Sequence, residues 1–342
     1  MTRSVTWIMD GELVLATATA DTAEGPFTAG ACGFTEQDAV TRAASELVER
    51  TTLLAEGPRR VVSTADVLAA GGSMHQVVAA PTAAVEWVRA EPVSPGEPLW
   101  LPADLVLLRW QGSRELAAQQ SSVGSAAHPD RSSAVQAGAR ECLERYAVRR
   151  IWSGATGLIP LTGELEAAIP GGPLEALGRN GLMADAWLVG ATLPAAVVIV
   201  MVSGTNRRAT FGSSCSPTLR DGLRHALCEA ISVRAAFAAS RSLRRNFAMP
   251  DHGVDHALRA SAFQDAFGAF LRRLQSTGGF DGGQVPETDV LAYLERELNV
   301  TPVAVDFGRT DDLHVVKVVV PAPEFFVPRR HRGYVLNPGY LE

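Results

Sequence analysis

The chain has 342 residues, 46% of them hydrophobic and 20% charged, with a formal net charge of −6. That apolar content excludes a disordered tail, the length suits one large domain or two smaller ones, and the acidic balance argues against a surface built to neutralise nucleic-acid phosphates. Lysine is nearly absent: Lys317 is the only one in a Lys+Arg total of 31, so P-loop, Schiff-base and general-base lysine chemistry is excluded unless Lys317 serves.

Asp10, Glu12, Asp21 and Glu24 interrupt any apolar leader in the first 30 residues, so no signal peptide is expected. Residues 5–20 alternate loosely and predict an opening strand or hairpin. A turn containing Gly30 and Gly33 leads to a helix over about 36–50. Residues 60–110 are broken by Pro92, Pro95, Pro98 and Pro102, and Val106-Leu107-Leu108 predicts a strand. A Ser/Gly loop over 121–132 precedes a long helix at about 133–152. The apolar stretch 183–202 contains Asp185, Gly190, Thr192 and Pro194, which favours two buried strands over a membrane span. A second Ser/Gly loop over 212–217 precedes a helix at about 218–240. Helices at about 254–274 and 288–298 and a strand over 313–320 complete the chain, with a glycine-rich turn at Gly278, Gly279, Gly282 and Gly283. Recurrent strand, small-residue loop and helix argue for a mixed α/β protein. Four cysteines, Cys32, Cys142, Cys215 and Cys228, form no dense disulfide framework, and the expected location is the cytoplasm.

Two of these helices share a signature. Ala39-Val40 through Glu46, Glu49 and Arg50 matches Ala134-Val135 through Glu141, Glu144 and Arg145. Each has two glutamates three apart and an arginine four after the first, all projecting from one side of a helix. Ala226 to Arg234 is a partial copy that keeps Glu229 and has Ser232 where the second acid would fall. One Glu-x-x-Glu-Arg is an ordinary exposed helix face. Three related copies, each behind small residues, suggest more. Converging carboxylates suit Mg²⁺, amides at helix N-termini suit phosphate oxygens, and arginines clamp phosphate in bidentate fashion.

These residues resemble the YcaO superfamily over nearly the whole chain, residues 1–342 reading as a single domain. The most specific segment is Ser121-Ser122-Val123-Gly124-Ser125-Ala126-Ala127, followed by Ala134 and Glu141-Cys142-Leu143-Glu144-Arg145. The resemblance implies an α/β fold of pseudo-repeated strand–loop–helix units around a central nucleotide site, with ATP and Mg²⁺ as cofactors. Carried over by position, Glu46, Glu49, Glu141, Glu144 and Glu229 would hold Mg²⁺. Arg50, Gly124, Arg145 and Arg234 would contact ATP. The implied reaction adds a nucleophile to a peptide backbone carbonyl, transfers the γ-phosphoryl group to the resulting oxyanion, and then eliminates phosphate. A Cys, Ser or Thr side chain as nucleophile gives an azoline, the product favoured here; sulfide gives a thioamide and an amine gives an amidine. The implied partners are a ribosomally made precursor peptide and a separate leader-binding protein or a YcaO paralogue. A homodimer is compatible with this reading, and neither nucleic acid nor membrane is involved.

The chain departs from the family pattern at Cys32, where a lysine is expected, and at Val123, Tyr146 and Ser232, in place of Asn, Asp and Gln. A degenerate homologue that scaffolds an active partner is therefore the second reading. Three further features stand apart from the signature. Asp251-His252 and Asp255-His256 place two histidines at i, i+4, a pattern open to metal binding or capping. Cys32, before a helix, is a nucleophile candidate with an expected lowered pKa. Arg329-Arg330-His331-Arg332 is a basic cluster suited to a solvated face or an acidic leader peptide.

Overall fold

The computed structural model describes residues 1–23, 25–55, 61–74, 85–108, 121–152, 156–190, 192–204, 209–246, 270–274, 289–322 and 325. The histidine pair, the glycine-rich turn at 278–283, the Arg329–Arg332 cluster and most of the helix expected over 254–274 lie outside these residues.

The described residues form three sheets with helices between them. The first has the order β1 (Thr2–Ile8), β2 (Leu13–Thr22), β3 (Gly25–Gly33), and α1 (Glu36–Ala55) packs on it. Gly30 and Gly33 belong to β3, paired with Thr17 and Val14, rather than to the expected turn. The second sheet runs β12 (Ala209–Ser216), β11 (Ala196–Gly204), β10 (Leu182–Val189), β9 (Leu158–Pro160). The third runs β5 (Ser73–Met74), β7 (Leu99–Pro102), β6 (Glu86–Pro92), β13 (Val303–Thr310), β14 (Leu313–Val319), β8 (Ser125–His128), with β4 (Val62–Ser63) paired to β6.

Two long helices explain the most apolar sequence. α4 (Arg131–Trp152) packs on one face of the second sheet with Trp187, Val197, Ile199 and Met201. α7 (Leu219–Asn246) covers the other face with Leu188, Val198, Val200 and Val202. β11 is buried on both sides, so it reads as a continuous β-branched run rather than an alternating one. The expected pair of buried strands within 183–202 is β10 and β11. The short helices α2 (Thr64–Ala69), α3 (Ala103–Val106), α5 (Thr162–Ala168), α6 (Gly172–Arg179) and α8 (Val290–Leu298) fill the periphery. No helix among the described residues is long and apolar enough to cross a membrane.

Two kinds of expectation are corrected. The strand expected over 106–108 does not form: Val106 ends the single turn of α3, and Leu107 and Leu108 are bends outside any strand. A short apolar run suits a buried helical turn as well as a strand. The small-residue stretches expected as loops contain strands: Ser125–His128 lies within the loop expected over 121–132, and Ala209–Ser216 covers most of that expected over 212–217. Their glycines and serines serve close packing. A Cβ on Gly212 would lie 2.1 Å from the Ala226 carbonyl oxygen, so α7 presses directly on β12.

Candidate functional site

In each copy of the repeated signature the strand is the outer strand of its sheet, and the helix follows it at once: β3–α1, β8–α4 and β12–α7. An outer strand leaves backbone N–H groups without a ladder partner. Two such amides of β12 are accepted by signature glutamates, and so is the amide of Gly124, which immediately precedes β8.

On α4, Glu141 Oε2 accepts the Gly124 amide at 2.9 Å. Gly124 is left-handed, with φ +85°, and its carbonyl accepts the Val318 amide at 2.8 Å. That conformation turns its N–H from β14 toward α4, which only glycine does without strain. One turn later Glu144, 8% exposed, accepts the Ser213 hydroxyl at 2.6 Å and the Cys215 amide at 3.0 Å, both from β12. On α7, Glu229 accepts the Ser213 amide at 2.6 Å. Ser213 thus joins the acids of two helices. Arg145 lies 3.9 Å from both Glu141 and Glu144.

The structure therefore brings Gly124, Glu141, Glu144, Arg145 and Glu229 into one cluster of hydrogen bonds and ion pairs. On α1, Glu46 pairs with Arg50 at 2.8 Å, and Glu49 is half-buried. α1 itself packs against β8 and β14. Arg234 lies farther along α7, where a Cβ on Gly204 would approach its guanidinium to 3.3 Å. Sequence reasoning missed Ser213. It lies in the small-residue stretch 212–217, and its amide faces Glu229.

Cys32 is corrected as a nucleophile. It is 1% exposed, and its hydrogen bond with Cys228, followed by burial, pushes its pKa up rather than down. Burial likewise raises Cys142 and Cys215. All four thiols are free and buried. Ellman's reagent is expected to label none of them within minutes in the native chain and all of them after denaturation; rapid labelling of a native thiol would contradict this packing.

The donor chemistry suits a metal–nucleotide pair better than a metal alone. Among the described residues no group of three or more His, Cys, Asp or Glu is arranged to hold an ion by itself. Mg²⁺ is commonly bound through one or two carboxylates, with phosphate oxygens and water completing its shell, and carboxylate oxygens are hard donors of that kind. Two buried polar atoms also lack a hydrogen-bond partner on elements that pack together, Arg50 Nε on α1 and Ser125 Oγ on β8. An anionic oxygen is a natural acceptor for such donors.

The family model described as YcaO cyclodehydratase, ATP- and Mg²⁺-binding, matches residues 73–324. No curated protein sequence matches. Among solved structures, YcaO from Methanopyrus kandleri bound with AMPPCP and Mg²⁺ superposes with a TM-score of 0.72 at 19% identity, covering 95% of this chain and 86% of that one. The E. coli microcin synthetase McbBCD complex gives 0.66 at 14%, covering 95% and 88%. A heterocyclase in complex with substrate and cofactor gives 0.64 at 16%, covering 90% of this chain and 47% of that one.

Proposed function

The chain belongs to the YcaO family, whose ligands are ATP and Mg²⁺, and on that premise we propose an enzyme that activates backbone amides of a ribosomally made precursor peptide, forming azolines from Cys, Ser or Thr. The observation that carries this reading is the cluster in which Gly124, Ser213 and Cys215 orient Glu141, Glu144 and Glu229. Hydrogen bonds to one edge of a carboxylate fix its direction while leaving further acceptor positions on its oxygens.

When bound, Mg²⁺-ATP supplies the phosphoryl group that activates the amide oxygen. Glu141, Glu144 and Glu229, with Glu46 and Glu49 from α1, would hold the metal directly or through its waters. Arg50, Arg145 and Arg234 would offset phosphate charge, and the Gly124 loop would sit against the nucleotide. The protein's part is positioning and charge stabilisation. The relatives support a peptide substrate and a partner protein: one was solved with substrate and cofactor, another as a multi-protein complex.

Titration calorimetry tests the reading. Mg²⁺-ATP is expected to bind with saturation at or below millimolar nucleotide. Mg²⁺ alone should bind far more weakly, since among the described residues no donor set closes around an ion, and chelation by EDTA should abolish nucleotide binding. No heat of Mg²⁺-ATP binding at millimolar nucleotide would refute the enzyme. The second reading, a scaffold for an active paralogue, is favoured by one observation: the position expected to carry lysine is the buried thiol Cys32. ATP turnover by the isolated chain with peptide, with loss of one water per ring, would exclude the scaffold.

A further inference from the structure

Lys317 lies on β14, 2% exposed, in a chain whose other basic residues are all arginine. Alternation along β14 places it on the face that carries Val315 and Val319, which pack against Val48 of α1. Its cross-strand partner is Ser125, the first residue of β8, whose Oγ is buried without a hydrogen-bond partner. Its Nζ donates to the Ser121 carbonyl. That carbonyl begins the segment 121–124, in which Ser121 Oγ accepts the Val123 amide at 3.1 Å and Gly124 donates to Glu141. The charges of Glu141 and Lys317 are both felt at the Cys142 thiol, with opposite sign, so the ammonium and the carboxylate share one neighbourhood.

We propose that Lys317 is a positioning residue of the acidic cluster: its ammonium holds segment 121–124 through the Ser121 carbonyl and thereby aims the Gly124 amide at Glu141. A segment preceding an outer strand has one side without a ladder, so a tether from the adjacent strand fixes what the sheet does not. The ligand served is the metal–nucleotide pair of the proposed function, and only the affinity measurement below rests on that reading. A compact ammonium on a flexible stem can turn a donor onto the Ser121 carbonyl in a confined space, whereas a planar guanidinium presents a rigid fork of five donors.

The test is Lys317→Met, which keeps most of the side-chain length. Removing one side of a buried polar contact is destabilising in itself, so a merely structural lysine predicts lower stability with exchange raised across the fold rather than in one segment. Amide hydrogen exchange, followed by mass spectrometry, should accelerate at least tenfold in residues 121–125 with protection elsewhere retained. Calorimetry should show Mg²⁺-ATP binding at least tenfold weaker. Unchanged exchange in 121–125 overturns the proposal, and so does a loosened segment with Mg²⁺-ATP affinity within twofold of wild type. A wild-type chain that binds no Mg²⁺-ATP refutes the proposed function, while the exchange measurement still decides the role of Lys317. If Lys317→Met does not fold, the wild type decides. Acylation of its single lysine by an amine-reactive ester, mapped by mass, should proceed at the local opening rate of segment 121–125; acylation only at the rate of global unfolding overturns the proposal.

Discussion

Glu144→Ala is expected to abolish ATP-dependent turnover and to cost about 3 kcal/mol of stability, the penalty of leaving buried donors unsatisfied. Glu144 is the most enclosed acid in the cluster, and truncation leaves both the Ser213 hydroxyl and the Cys215 amide without their acceptor. Ser213 also donates its amide to Glu229, so the loss reaches α7. Glu144→Gln separates charge from shape. It retains one acceptor oxygen but turns an NH₂ toward a donor, so turnover should still fall by roughly a hundredfold or more, the scale of losing one preorganised electrostatic contact. Its melting temperature should fall less than that of the alanine variant. Turnover by Glu144→Ala within tenfold of wild type would remove this residue from the site.

Gly124→Ala should destabilise the chain by about 3–5 kcal/mol. Two costs combine there. The backbone has φ +85°, a region that costs a non-glycine residue about 1–3 kcal/mol. The added Cβ would also lie 2.0 Å from the Val318 carbonyl oxygen and 3.0 Å from Cys142 Sγ, and such overpacking costs about 1–3 kcal/mol. Relief requires β8 to move off β14, which takes the Gly124 amide away from Glu141. Denaturant unfolding measures the first effect and Mg²⁺-ATP calorimetry the second. A loss below about 1 kcal/mol would mean that β8 and β14 do not meet as closely as described.

The long helices and the buried strands were legible because their signals are local. α1 and α4 announce themselves by acids and apolar residues at helical spacing, and β11 by an uninterrupted β-branched run. The outer strands of the repeats were not legible as strands. Gly33, Ser125, Gly212 and Ser213 carry the composition of loops, and what makes them strands is a helix pressed against them from farther along the chain. The same limit applies within the site. The chain showed that Glu141, Glu144 and Glu229 belong to a repeated pattern, but not that Ser213 bridges two of them, because that contact spans 69 residues in one direction and 16 in the other. Cys32 shows the converse error. Its local setting before a helix suggested a lowered pKa, and its packing against Cys228 reverses the sign.

The pairing of β8 with β14 also sets an order of events during synthesis. The tether between Lys317 and Ser121 spans 196 residues. The Glu141 helix is complete once Trp152 has been made, yet the strand that supports its glycine partner begins only at Leu313. Chain closure over such distances is slow to nucleate. A nascent chain ending before Leu313 has its acids in place without the strand that aims them, and exposes β8 as an unpaired edge. The aim of the Gly124 amide at Glu141 is therefore set only once β14 has been made and has paired with β8.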